Sequence, residues 1–442
     1  MRIECADSFR EQHVPSSYRW SLTALVASLG LFLLAIVDLR RGFLFADYFL
    51  KTPYLVLSPL HLLMLAIGLM GLLAGHRTLK RHETTLDPAV LESYTGRMAF
   101  VLFGLLVADL FTYRGVAAAR AVAVGSLGAG WLAAFGVTGW LKPVALSVSY
   151  LLAVWHATVL GVLLAGLALT FMPRYLQPYC ARPGFGGTLF GGLFALPQPF
   201  CSCCAALITP SLVRRGASVN FSLAFVVGSP MLNLSALILA AVLLPAPYAI
   251  TRVLAGVILA VLVTYAVSRL AERWDRIGVS RNQWPLNPRV SRWRDLYYRI
   301  FDLEGLVRER PLNTPGDLVS TWLFVSGRIA LILVPTLWVW SVATAAMVQA
   351  LPSTFGNNLP SVVSAAIAGT LLMVSTWTEI PVALQMIQAG YTGPAATLLV
   401  VLPPVSLPCL MLLAGSLGRY RVVLLLGLAV AVAGIIAGVA FL

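Results

Sequence analysis

Three cysteines within four residues, Cys201-Ser202-Cys203-Cys204, follow Pro197-Gln198-Pro199 in an otherwise apolar stretch. Thiols are soft ligands and, once deprotonated, nucleophiles. The cluster therefore suits Cu(I), a thiophilic element or a sulfur-bearing solute. If a metal is held, Cys201, Cys203 and Cys204 are its candidate ligands, since no second Cys/His pair lies at the spacing of a structural zinc site. The plain alternative is that three small apolar side chains pack a tight turn. Far along the chain stands Glu379, the only acid after Asp317, inside Thr376-Trp377-Thr378-Glu379-Ile380-Pro381. A carboxylate in an apolar run is costly unless it is paired or carries a proton, so Glu379 is a candidate proton carrier. Arg328 is a candidate partner that would hold Glu379 ionised; a fixed structural ion pair is the alternative. A histidine side chain can exchange a proton near neutral pH, so His156 offers a proton relay or a soft-ion ligand, or simply a packed helix residue. Asp109 has Arg114 close by and reads as structural. Asn233, Thr376, Thr378 and Ser406 add amide and hydroxyl groups from the same regions.

These residues need a scaffold, and the composition says which. The chain has 442 residues, 59% hydrophobic, with mean hydropathy +0.87. Only 11% are charged, against roughly 25% in soluble proteins. That excludes a soluble globular enzyme and a disordered chain, and the long continuous runs exclude a β-barrel. The fold class expected is an all-α polytopic membrane protein. The formal charge of +14 then reads as Arg facing the cytoplasm and anionic lipid, not as nucleic-acid binding. Six cysteines, half of them in one cluster, make no disulfide framework. The first apolar run, 20–37, has no small-residue cleavage site after it and reads as a retained helix.

A span needs about 20 apolar residues. Two runs, 185–215 and 361–389, are too long for one straight helix. Each is interrupted by Gly or Pro near its middle. When segment 144–268 is laid over 318–442, a single register places Gly216 on Gly390, Pro230 on Pro404 and Cys201 on Ser375. Two repeated halves, each with one broken element, point to a secondary transporter whose site lies where the breaks meet. The domains expected are an N-terminal transmembrane extension of about four helices (1–143), repeat 1 (144–268), a cytoplasmic basic loop (269–318) and repeat 2 (319–442). Within the loop, 292–308 is a candidate surface helix. Arg252 and Arg328 fall inside apolar runs and are set aside as intramembrane charges. Counting the remaining basic residues on each side does not separate crossing segments (parallel halves) from re-entrant hairpins (inverted halves). The length of the broken runs favours hairpins.

The run from Pro197 to Asn233 resembles the ArsP-like family of predicted membrane permeases. The resemblance rests on Cys201-Ser202-Cys203, then Arg214-Arg215-Gly216-Ala217-Ser218, Ala224-Phe225, Pro230 and Asn233. The spacing from Cys201 to Gly216 is also the family's. The resemblance covers roughly 144–442. Cys204 stands where the family usually has Gly, and Pro210 lies three residues late. In the second half, Ser375-Thr376-Trp377-Thr378-Glu379 lacks the family's cysteine. The resemblance implies a permease; named members export trivalent organoarsenicals.

The reading is a multi-pass inner-membrane permease for a small soft or sulfur-bearing solute. The solute would be bound by Cys201, Ser202, Cys203, Cys204, Asn233, Thr376, Thr378 and Glu379. Proton coupling would run through Glu379 with Arg328 or His156. The partners expected are the solute, the lipid bilayer and a possible second copy of the chain. No cofactor is expected. No Gly-x-x-x-x-Gly-Lys-Ser/Thr loop occurs in the chain, so it carries no ATP motor of that type. A membrane-embedded thiol redox or sulfur-transfer enzyme, or a subunit of a larger complex, are the other classes in play.

Overall fold

The computed structural model describes residues 15–41, 58–124, 139–197, 200–214, 216–276, 313–350, 356–372, 379–417 and 420–442. Among them the regular structure is entirely helical, as the composition requires. Seven described helices are long and apolar enough to cross a membrane, and the protein is a multi-pass membrane protein. The candidate surface helix at 292–308 lies outside the described residues.

The chain divides into two compact units. The first comprises Met1–Leu105 with Arg310–Thr321. Here α1 (Ser16–Arg41) and α2 (Pro59–Glu83) pack along a seam of small residues. Gly68 and Gly75 lie directly against the backbone of Phe32 and Leu25, the close approach that small residues permit between membrane helices. Helix α3 (Pro88–Val124) joins through Tyr94, edge-on to Tyr18. The sequence divides this region into runs at 98–113 and 121–140. Instead one helix continues through Arg114 and Gly115 to Val124: an arginine does not break a helix, and the alanine-rich stretch that follows outweighs the roughly 1 kcal/mol cost of a single glycine. Three α-helices therefore precede Lys142 among the described residues, and 125–138 lies outside them. Buried Glu83 accepts a hydrogen bond from the backbone N–H of Gly316 at 2.7 Å, a carboxylate placed on the N-terminus of the helix that begins at Pro315.

The second unit comprises Leu106–Glu309 and Trp322–Leu442. It holds α4 (Lys142–Cys180), then α5 (Gly184–Ala195) and α6 (Ser202–Arg214). Next come α7 (Val219–Met231), α8 (Leu234–Leu243), α9 (Ala246–Val257) and α10 (Thr264–Arg276), the last two joined by a π-helical stretch. The same order follows in α11 (Pro315–Ala350), α12 (Leu359–Leu371), α13 (Glu379–Gln388), α14 (Thr392–Val401), α15 (Leu407–Leu417) and α16 (Tyr420–Val439). Helices α5, α6, α12 and α13 have 10–13 residues each, about 15–20 Å, so none reaches across a hydrocarbon core of about 30 Å. Both arms of each pair pack on the helix that follows: α5 and α6 on α7, α12 and α13 on α14.

Two details of these helices bear on the site. Helix α6 ends at Gly216 (φ 91°), where Ala217 N–H donates to Leu212 C=O; α13 ends at Gly390 (φ 85°), where Tyr391 N–H donates to Met386 C=O. These are the same glycine-terminated helix end, at the two positions that the repeat superposes, and the left-handed backbone there favours glycine. The long helices α4 and α11 pack antiparallel. Ser147 hydrogen-bonds Ser341, while at the other end Trp322 Nε1 donates to Leu163 C=O at 2.8 Å and Gly166 lies against Ser326.

The seam between α5 and α7 tolerates no side chain at Gly191, where a Cβ would stand 2.6 Å from the Phe221 carbonyl oxygen and 3.1 Å from Ala224 Cβ. The backbone there cannot yield as a side chain would. Gly191→Ala is therefore expected to lower stability by about 1–3 kcal/mol in thermal or denaturant unfolding of the purified protein.

Candidate functional site

Proline breaks supply the site's backbone groups. Pro230 inside α7 has no N–H to give to Val226 C=O, and the helix stops one residue later. Leu234 N–H would have closed the next turn on the Pro230 carbonyl; it donates instead to Leu196 C=O at 3.1 Å. That bond joins the α7–α8 break to the end of α5, one step before the cysteine segment. The Pro230 carbonyl is thereby left for a side chain, and Arg252 of α9 takes it: Nη2 donates to it at 3.0 Å, while Nη1 lies against Met231 Sδ.

The same Nη2 stands 3.3 Å from Glu379 Oε1. Both side chains are buried, Arg252 at 0% and Glu379 at 1% exposure. Glu379 is the first residue of α13, so its carboxylate also lies at a helix N-terminus. Its neighbour Ile380 is sealed in an apolar cluster with Leu239, Tyr248, Ala383 and Leu399, which fixes the helix that carries the acid. One guanidinium thus bridges the irregular backbone of the first half and the acid of the second. Sequence reasoning offers Arg328 for Glu379 and sets Arg252 aside; the structure supplies Arg252 as an ionic partner. Arg328 is half-buried one turn from Phe324, its guanidinium 5.7 Å from that ring.

Asn233 caps α8. Its side-chain oxygen accepts from Ser235 N–H at 3.0 Å and from the Ser235 hydroxyl. Ser202 begins α6 and is buried. Cys201, just before it, places its Sγ 3.1 Å from Cys204 Sγ and accepts from Cys204 N–H at 3.4 Å. Two thiols thus sit side by side at the N-terminal end of a helix. Cys204 fits against Gly161 of α4, where a Cβ would lie 3.4 Å from the sulfur. A third thiol, Cys409 of α15, is fully buried within electrostatic reach of Cys201, and α15 packs on α6. Cys203 lies in α6, but its side chain is outside the described set, as are Thr376 and Thr378 altogether. Among the described residues no three Cys, His, Asp or Glu side chains form a metal-holding group.

His156 lies elsewhere in the second unit, on α4. It is fully buried, its Nε2 3.8 Å from Asp109 Oδ2 and its ring stacked on Tyr113 at 4.4 Å, both from α3. The separation is that of an ion pair rather than a hydrogen bond. Sequence reasoning missed three things here: the role of Arg252, the partnership of Asp109 with His156, and Cys409. Only the first left a signal, a lone arginine in an apolar run.

Comparison with known proteins places these features. Residues 140–441 match the family described as "Predicted permease", the ArsP-like family of the sequence resemblance. UPF0718 protein YraQ of Escherichia coli (strain K12) is 31% identical over 323 residues, 71% of this chain and 84% of that one. UPF0718 protein MJ0584 of Methanocaldococcus jannaschii is 24% identical over 288 residues, 54% of this chain and 78% of that one. No solved structure matches the chain. The match begins after α3, so Asp109 and Tyr113 lie before the family segment and His156 within it.

Proposed function

Since the chain belongs to the predicted-permease family and is a membrane permease, we propose that it is a secondary transporter of the inner membrane that carries a small soft or sulfur-bearing solute. Its site lies between the Cys201–Cys204 break and the Glu379 break. The observation that carries this reading is the Arg252 bridge: one buried guanidinium holds the Pro230 carbonyl of the first half and the Glu379 carboxylate of the second. A contact that joins two irregular elements can be broken and remade, as alternating access requires.

The antiparallel packing of α4 on α11 supports inverted halves. If equivalent helices run in opposite directions, each half holds an odd number of crossings. Helices α5 and α6 then form a re-entrant hairpin and leave three spans per half, and α12 with α13 do the same. Glu379 is the proton-bearing group in this scheme, released from Arg252 when protonated. The thiols of Cys201 and Cys204, with Cys203 beside them, are the soft wall; Asn233, Ser202, Thr376 and Thr378 are the polar contacts.

The test is a screen of copper(I), trivalent arsenicals and small sulfur compounds for thermal stabilisation of the purified protein, followed by flux in proteoliposomes. A stabilising solute should be transported, and Cys201→Ser should bind it at least about tenfold more weakly, the loss of one soft-ligand contact. Full flux in Cys201→Ser would remove the thiol from the mechanism.

One observation favours a second reading. Cys201 and Cys204 are already adjacent at a helix end, the arrangement of a dithiol that cycles through a disulfide. Mass mapping of oxidised and reduced protein separates the two readings: turnover of this disulfide without net flux would make the protein a redox enzyme.

A further inference from the structure

Among the described residues, two buried donors at the α7–α8 break have no acceptor. Asn233 is wholly buried and its oxygen is occupied, but among the described residues its Nδ2 has no hydrogen-bond partner. Arg252 is wholly buried and uses both Nη atoms, while among the described residues its Nε has no partner. Each stranded donor is a cost that a folded protein rarely carries without a reason. Both belong to one short stretch: Arg252 reaches Pro230 and Met231, and Asn233 follows two residues later. The neighbouring hydroxyls are engaged, Ser229 on Phe225 C=O and Ser235 on Asn233. What is left over is a set of donors, which calls for a ligand bearing acceptor oxygens.

The charges say which kind of ligand. Helices α8 and α14, which pack on α13, have no titratable side chain. From α9 come Arg252 and Tyr248, the latter in the apolar cluster with Ile380. With Glu379 ionised, the carboxylate and guanidinium cancel. With Glu379 protonated, Arg252 is left as an uncompensated buried cation, a state that is strongly disfavoured. A single negative charge on the ligand removes that cost. An anion arriving without the proton would put two negative charges against one positive charge, and is excluded for the same reason.

We propose that the Pro230–Asn233 break binds a small monovalent oxyanion, donated to by Asn233 Nδ2 and Arg252, and that this anion loads together with one proton on Glu379. The inference rests on the permease reading and narrows its sulfur-bearing solute to one carried as a monovalent oxyanion, the class methanesulfinate represents, with acetate and nitrate as sulfur-free probes of the same donors. The proton comes from the water on the side to which the site is open, and no electron moves. Glu379 and the anion compete for one guanidinium, so the empty and the fully loaded sites are both neutral and the half-loaded sites are not. The cycle therefore moves no net charge.

Isothermal titration calorimetry of the full chain in detergent tests this, with acetate, nitrate and methanesulfinate each run in two buffers of different ionisation enthalpy. The expected result is that at least one of the three binds with uptake of about one proton per anion, and that its affinity falls about tenfold per pH unit above the titration of Glu379. Glu379→Gln should still bind that anion, with no proton uptake and no such pH dependence. Asn233→Ala should bind it about tenfold more weakly with the proton count unchanged. Wild-type binding without proton uptake, or unchanged uptake in Glu379→Gln, overturns the proposal. So does the failure of all three anions to bind a protein that still carries a thiophilic solute, and that result leaves the permease reading standing. Proton-linked anion binding with no flux of any solute upholds the site and overturns the transport reading instead.

Discussion

Replacing Arg252 with Leu should lower the stability of the protein by about 3–5 kcal/mol, the largest single-residue effect expected in the chain. The loss does not measure the strength of the ion pair. It arises because Glu379, at 1% exposure, is left as a buried carboxylate beside a leucine, and because the Pro230 carbonyl loses its donor. Hydrophobic replacement of both partners removes the first cost, so Arg252→Leu with Glu379→Leu should recover most of the loss in denaturant or thermal unfolding. Recovery of stability without recovery of transport would separate what the pair does for folding from what it does for function. A single variant as stable as the wild type would mean that Glu379 is protonated in the resting protein and that the pair is not ionic.

Glu379→Gln should have the largest effect on function. The amide keeps the shape of the side chain and can still accept from Arg252, but it cannot carry a proton. One proton per solute lets a gradient of one pH unit sustain about tenfold accumulation, since each unit is worth about 1.4 kcal/mol. Because proton and solute load together, the wild type should concentrate solute about tenfold on the alkaline side in proteoliposomes. Glu379→Gln should hold inside and outside concentrations equal, while still exchanging labelled for unlabelled solute. Accumulation by the variant to the wild-type level would place the proton elsewhere. The His156–Asp109 pair is then the next group to replace, since it too is buried and titratable.

The sequence makes the backbone of this picture legible, and the reason is physical. A hydrocarbon core permits only internally satisfied backbone, so long apolar runs become helices. Gly and Pro clusters inside overlong runs become the places where those helices stop. The division of 185–215 into α5 and α6 follows from that rule; in 361–389 the one proline, Pro381, stands in the first turn of α13. The glycine-terminated helix ends at Gly216 and Gly390 stand at two positions that a single sequence register places on each other. Glu379 announces itself by standing alone. Arg252 is visible as an intramembrane charge, but its partner is not. The pairing spans 127 residues, and it depends on a carbonyl freed only because Leu234 N–H turns to Leu196. Nothing in the local pattern of residues 230–252 encodes that diversion. Cys409 is hidden for a similar reason: its nearness to Cys201 comes from the packing of α15 on α6, which only the tertiary fold creates. The continuity of α3 escapes a reading of the sequence because Arg114 and Gly115 look like a boundary, yet an arginine is a good helix former and one glycine costs a helix only about 1 kcal/mol.

The central claim is that the interrupted elements of the two halves face one solute site, and the half-buried Cys201 thiol offers the most direct reading of it. Its rate of modification by N-ethylmaleimide can be followed by peptide mapping, with the buried Cys180 and Cys409 as internal controls. The solute is the compound that stabilises the wild type most in the thermal screen. At saturation it should slow modification of Cys201 at least about tenfold in the wild type, and about as much in Glu379→Gln, which still binds the solute. Modification of Cys201 at the same rate with and without saturating solute would contradict the account.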